Sequence, residues 1–284
     1  MLLVAALTLT GCAMTGTVVV NETVEESREV ESDSRVLVET FNGRISVITG
    51  GETEIEVRVV KRGSGQSQAD AERDLSRVDL SIVQEGSRVT IAVRRNDDAI
   101  SLGNSGADVE LSVPGDSSLE LRTSNGRIEA ANVTGSIIAR SSNGGVTIRD
   151  GNNVDAETSN GPLTVADSSG TLDLRTSNGA LDIVAAEDAV IRAETSNGSL
   201  SFSGTLDPGD HLFRTSNASL SLMMAADAEF AIDGRTSNAS ISSSFALLTV
   251  GDDSLTGASV DDGDPAVRIR AETSNGDLTV ASQP

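Results

Sequence analysis

The chain of 284 residues has no tryptophan, no tyrosine and only five phenylalanines. An interior built on large aromatic rings is excluded, so any core must be narrow and filled by small and branched side chains. Cysteine occurs once, as Cys12, which rules out a disulfide framework and a cysteine-based metal site. Histidine also occurs once. His211 lies just before Phe213 in an alternating apolar stretch and reads as structural, leaving no imidazole for Ser-His-Asp or Cys-His catalysis or for a zinc site. No glycine-rich loop leads into a helix as phosphate binding would require. Basic residues are scarce, 21 against 43 acidic ones, for a net charge of −22. That balance argues against nucleic acid and against docking on anionic lipid. Nothing in the sequence calls for a cofactor or a resident metal.

What the chain has in quantity is one short string. Thr-Ser-Asn-Gly stands at Thr123–Gly126, Thr158–Gly161, Thr176–Gly179, Thr195–Gly198 and Thr273–Gly276, with variants at Ser141–Gly144, Thr215–Ala218 and Thr236–Ala239. Its asparagines are Asn125, Asn143, Asn160, Asn178, Asn197, Asn217, Asn238 and Asn275, at steps of 18, 17, 18, 19, 20, 21 and 37 residues. The last step is close to two repeats, which predicts a worn copy in between. A fixed period of this length marks a solenoid, in which no repeat can bury its apolar face alone.

Aligned on the asparagine, the repeats alternate. Three residues on stand Ile128, Val146, Leu163, Leu181, Leu200, Leu220, Ile241 and Leu278, with polar residues next to them and mostly apolar ones again two further along. The same period of two precedes the asparagine, with Leu121, Ala139, Ala156, Leu174, Ala193 and Phe213 four residues before it. Each repeat is thus two half-buried strands meeting at a corner. Asn-Gly suits the corner because both residues tolerate positive φ. The predicted fold is all-β: a single-stranded parallel β-helix of ~17–21-residue coils, with the asparagines stacked in one column. Three residues before the asparagines, Arg140, Glu157, Arg175, Glu194 and Arg214 are expected to form an outward ladder of alternating charge. Arg235 and, past the worn coil, Glu272 would continue it.

The N-terminus reads as an address. Met1–Thr10 is apolar, too short to span a bilayer, and Leu9-Thr10-Gly11-Cys12 resembles the lipobox of bacterial lipoproteins. The resemblance implies cleavage before Cys12 and its acylation, a membrane anchor through the lipid and, with Ala at position 13, the outer membrane. No Lys or Arg precedes the apolar run, which fits a start codon assigned downstream of the true one. Residues 1–12 are then the signal peptide ending at the lipidated cysteine, 13–34 a flexible acidic linker, and 35–284 the solenoid domain, expected as a monomer.

Before the regular repeats, Val36–Val47 carries the motif once more around Asn42 and Gly43. An alternating strand at Ile55–Val60 follows, then a short helix over Ser67–Val78 started by Ser67, then strands at Val78–Val83, Val89–Val93 and Val109–Val113. The helix is expected to cap the first coil, since open solenoid ends invite aggregation. This order looks like the bacterial putative-adhesin family: Asn-Gly, Lys61-Arg62, a short helix, Val109-Glu-Leu-Ser-Val-Pro114, then serial Thr-Ser-Asn-Gly coils. The match covers roughly Val36 to Val280. The resemblance implies a β-solenoid, a cell-envelope location and no assigned chemistry.

Two acidic features remain to be placed. Asp155 and Asp173 share an outward position in adjacent coils and could form a cation or ligand face. Asp252-Asp253 and Asp261–Asp264 cluster near the predicted worn coil, without the nonapeptide calcium repeat. The sequence favours a non-enzymatic binding scaffold presenting flat faces to glycans or proteins. Its alternatives are a self-assembling element stacking end to end and a polysaccharide-active enzyme on the Asp155/Asp173 face.

Overall fold

The structure, a computed structural model, describes residues 4–8, 17–31, 33–96, 105–260 and 265–283. It is all-β with one helix and divides into two compact units, Met1–Gly144 and Gly145–Pro284. The first unit opens with β1 (Val4–Thr8), antiparallel to the twelve-residue β2 (Val18–Glu29). The stretch expected as a flexible linker over 13–34 is therefore largely a strand. The reason lies in β2 itself, whose Val20 is buried against the helix and whose backbone pairs over its whole length with β5.

β3 (Arg35–Thr40) and β4 (Ile45–Thr49) flank the first Asn-Gly corner, and β5 (Glu54–Gly65) leads to the helix α1 (Gln68–Leu75). Ser67 caps α1 by accepting from the Asp70 N–H at 3.2 Å. β6 (Val78–Glu85) and β7 (Arg88–Arg95) form a hairpin, followed by β8 (Gly106–Val113), β9 (Ser118–Thr123), β10 (Ile128–Val133) and β11 (Ile137–Ser141). β3 pairs in parallel with both β7 and β9, and β4 with both β8 and β10. The first coil in sequence is thus second in space, and the β7/β8 coil lies outside it.

That outermost coil is covered by antiparallel strands, β6 on β7 and β5 on β8. The helix does not cap the coil directly. α1 packs on β5 and β2, burying Ala71 and Leu75 with Val20. The approach is close: a Cβ on Gly63 would lie 2.3 Å from the Ala71 carbonyl oxygen. Arg95 on β7 and Asp74 on α1, 2.9 Å apart, hold the helix in place from the side.

In the second unit β12 (Val146–Thr158), β13 (Leu163–Ala166), β14 (Ser169–Thr176), β15 (Leu181–Thr195), β16 (Leu200–Leu206), β17 (Gly209–Arg214) and β18 (Leu220–Met224) climb in sequence order, each pairing in parallel with its neighbours in the adjoining coils. Next come β19 (Ala231–Arg235), β20 (Ile241–Ser243), β21 (Thr249–Val250), β22 (Ser254–Ala258), β23 (Val267–Glu272) and β24 (Leu278–Ser282). Here the order changes. β23 pairs with both β17 and β19, and β24 with both β18 and β20. The last coil in sequence is inserted beneath the β19/β20 coil. The residues expected to form a worn coil instead include a hairpin, β21 and β22, with β22 antiparallel to β19. Phe230 and Phe245, in edge contact with centroids 5.0 Å apart, and the buried Leu248 and Leu255 close that end.

The expected alternation holds in the regular coils and weakens in β20, where Ile241 is half-buried. Ile128, Val146, Leu163, Leu181, Leu200, Leu220 and Leu278 are fully or almost fully buried, and Phe202 and Phe213 pack at 5.3 Å inside the second unit. His211 occupies an inward position that Leu172 and Ile191 hold in earlier coils, and is 2% exposed. Fully burying such side chains is worth roughly 1.5–3 kcal/mol each, so the interior columns set which residues face out.

Candidate functional site

Each letter of the repeat has a separate task at the corner. The threonine is buried, and its hydroxyl serves two coils at once. Thr176 Oγ1 accepts from the Gly179 N–H of its own corner and donates to the Gly161 carbonyl of the preceding coil, both at 3.2 Å. Thr195, Ser141, Thr123 and Thr273 repeat that double bond. The serine is exposed at most corners. The asparagine carboxamides stack, each Nδ2 donating to the Oδ1 next to it: Asn143 to Asn125 at 2.7 Å in the first unit, and Asn178 to Asn160, Asn197 to Asn178 and Asn217 to Asn197 in the second. Asn275 then donates to Asn217 and Asn238 to Asn275. The asparagine column is therefore real within each unit, but Asn275 stands between Asn217 and Asn238.

The glycine is needed for closeness and not, in the regular repeats, for positive φ. Among the glycines of the Asn-Gly corners only Gly43 has positive φ. A Cβ on Gly179 would lie 1.8 Å from the Gly161 carbonyl oxygen, and Gly126, Gly144, Gly198 and Gly276 are as tight. Where alanine replaces glycine, at 218 and 239, Thr215 and Thr236 keep the bond to the neighbouring coil. Neither accepts from its own corner's N–H.

The charge ladder follows the spatial order of the coils. Glu157 stands opposite Arg175, Arg175 opposite Glu194, Glu194 opposite Arg214, Arg214 opposite Glu272, and Glu272 opposite Arg235. The order read from sequence, with Arg235 following Arg214, is corrected: the inserted coil puts Glu272 between them and keeps the signs alternating. Arg140 lies in the first unit opposite Arg122, where they do not alternate. Against burial, which alone would raise it, hydrogen bonds from Arg214 and Arg270 hold the Glu272 carboxyl below its usual value. The ladder and the exposed serines line a groove of about 450 Å³ along the coils, from Glu157 and Arg175 to Arg214 and Ser216.

Asp155 and Asp173 are brought together as expected, directly opposite one another. Asp173 takes an ion pair from Arg175 at 2.7 Å, and the next residue of the column is Arg192. Among the described residues no group of three or more His, Cys, Asp or Glu is placed to hold a metal ion. His211 is bound at both nitrogens: Nδ1 accepts from the Ile191 N–H at 3.2 Å, and Nε2 lies 2.9 Å from the Asp207 carbonyl. Burial pushes its pKa down. Cys12 and Asp261–Asp264 lie outside the described residues, while Asp252 and Asp253 are exposed beside β22.

Two concavities of the first unit escaped the sequence reading, because they join strands far apart in the chain. One, of about 550 Å³, lies over β2, β5, β8 and β4, with Ile48 and Leu111 among its lining residues and Arg58 bridging Glu25 and Glu110. The other, of about 260 Å³, lies on β7, β3, β9 and the start of β11. The double-bonded threonine was also missed as a polar participant. A hydroxyl kept at a buried, alternating position was its signal.

None of the curated proteins matches this chain. Among solved structures, it is similar to "a putative adhesin (BF0245) from Bacteroides fragilis NCTC 9343", with 11% identity, 92% of this chain and 97% of that chain covered, and a TM-score of 0.44. It is also similar to "a putative cell adhesion protein from Clostridium sporogenes ATCC 15579", with 8% identity, 91% and 99% covered, and a TM-score of 0.25. The family model described as Toastrack DUF4097 matches residues 44–281, from the residue after the first Asn-Gly corner to the last strand, and the chain belongs to that family.

Proposed function

We propose that the protein is a non-enzymatic envelope lipoprotein, anchored through Cys12 and binding glycans or proteins along the flat faces of its parallel β-solenoid. The observation that carries this reading is the groove along the second unit. It offers alternating carboxylates and guanidiniums with a row of serine hydroxyls, repeated at the spacing between strands, ~4.8 Å. An extended polar chain could meet that pattern at several coils in succession, which raises avidity without requiring a deep pocket. The adhesin titles of the two structures named above are consistent with binding as the role.

A glycan array probed with residues 13–284, with and without Ca²⁺, tests the binding arm. Specific signals lost on neutralising Arg175 and Arg214 together are expected, and a blank array would remove the glycan reading. The anchor has its own test: Cys12→Ser, expressed with a complete signal, should move the protein from membrane to soluble fractions. Unchanged membrane retention would remove the lipoprotein reading.

A further inference from the structure

Nearly every described cation of this chain is engaged by an ion pair or a hydrogen bond. The exceptions among the described residues are Arg35, Arg88 and Arg149. Two of these stand side by side. Arg35 at the start of β3 is the register partner of Arg88 at the start of β7, and both side chains are exposed. Like charges directly opposed on adjacent strands are destabilising. Arg122 and Arg140 are also opposed, but Arg122 is held by Glu120, and Arg140 donates to the Ala139 carbonyl at 3.3 Å. Glu85 faces Arg88 across the β6–β7 hairpin without forming an ion pair to it.

Arg35 and Arg88 sit at one end of the groove of about 260 Å³. Ser118, the partner of Arg35 on β9, and Ser136 line it beside them. Leu37 and Ile138 add an aliphatic wall, Ile138 being 37% exposed, and Glu120 supplies a carboxylate. The volume is near the lower end of small-molecule sites, about 300 Å³. With no Trp or Tyr in the chain, the groove has no indole or phenol platform on which a neutral sugar ring could stack. Recognition here must come from charge and hydroxyl contacts.

We infer that this groove is a subsite for an acidic saccharide, with the carboxylate of a uronic acid held between Arg35 and Arg88. Two planar guanidiniums suit a carboxylate, which accepts paired N–H bonds from such groups. The serine hydroxyls and Glu120 meet the sugar hydroxyls, and Leu37 and Ile138 meet its C–H face. The net charge of −22 repels densely charged polymers, so a sparsely charged oligosaccharide is the ligand selected. This rests on the glycan arm of the proposed function and adds to the groove of the second unit a separate site in the first.

The test is calorimetric titration of the full chain with a uronic-acid oligosaccharide, its neutral counterpart, and inorganic phosphate. The uronate should bind, the neutral sugar should not bind at this groove, and phosphate should bind at least tenfold more weakly. Arg35→Gln and Arg88→Gln should each weaken uronate binding at least tenfold, and Glu85→Gln, which removes the internal competitor, should strengthen it. Without ligand, Arg35→Gln should raise Tm, because it relieves the opposed charges. Uronate binding that is absent, unaffected by both arginine changes, or matched by phosphate would overturn the subsite. A fall in Tm on Arg35→Gln would remove its premise. Neutral oligosaccharide binding that both changes abolish would overturn the selectivity for an acidic sugar and leave the general glycan reading standing.

Discussion

The buried threonine hydroxyl gives the most local test of the corner. In Thr176→Val the volume is nearly kept, but the Gly179 N–H is left unbonded at a buried site. An orphaned buried donor costs about 1–3 kcal/mol. Thr236→Val removes only the donation to Gly276, since the Ala239 N–H has no bond to lose, and should cost clearly less. Thr176→Ser should be close to neutral, as Ser141 already serves this role. Urea unfolding of the three variants decides it, and equal losses for both valine changes would refute the double bond. His211 makes a second prediction at this scale. Its folded pKa is lowered by burial, so the folded state resists protonation that the unfolded state accepts near pH 6.5. Stability is then whole above that pH and falls as pH drops below it. His211→Asn should be less stable at pH 7 yet lose less Tm between pH 7 and pH 5, measured by calorimetry at both.

At the scale of the element, coil order is the property to test. Arg175 lies between Glu157 and Glu194 in the ladder, whereas Arg235, in the outermost coil, has only Glu272 as a ladder neighbour. Arg175→Glu makes three like charges adjacent and should lower Tm more than Arg235→Glu. Each opposed pair on this wet face is worth only ~0.2–1 kcal/mol. The gap should therefore widen at low salt and narrow at high salt. Equal, salt-insensitive effects would show that the ladder carries no energetic weight. The same electrostatics agree with the inserted coil. Sequence order would stack Arg214 against Arg235, and the insertion of Glu272 between them removes that conflict.

For the molecule as a whole, the ends of the coil stacks decide between scaffold and filament. In the first unit β6 and β5 cover the outermost coil, with β2 and α1 beyond. In the second, the β21–β22 hairpin and the Phe230–Phe245 pair close the last coil. Antiparallel covering strands satisfy edge groups that stacking would otherwise use. Sedimentation over a hundredfold concentration range should accordingly give one monomeric species. Concentration-dependent growth in mass would revive the end-to-end assembly.

Much of this was legible in the residues, for one physical reason: in a coil, facing in or out is a local matter of alternation. Period two placed Leu163, Leu181 and Leu200 inside and Glu157, Arg175 and Glu194 outside, and the recurrence of Asn placed the corner. Sequence could not show which coils are neighbours, because parallel pairing ignores chain order. Only tertiary pairing placed Glu272 between Arg214 and Arg235, moved the β7/β8 coil outside the first one, and joined Arg35 to Arg88 across more than fifty residues. It likewise turned a polar, acidic stretch into β2, since a strand with one buried Val20 gains its hydrogen bonds from β5 and not from its own composition. The repeat determined what each coil is made of, and the backbone ladder between distant strands determined where each coil stands.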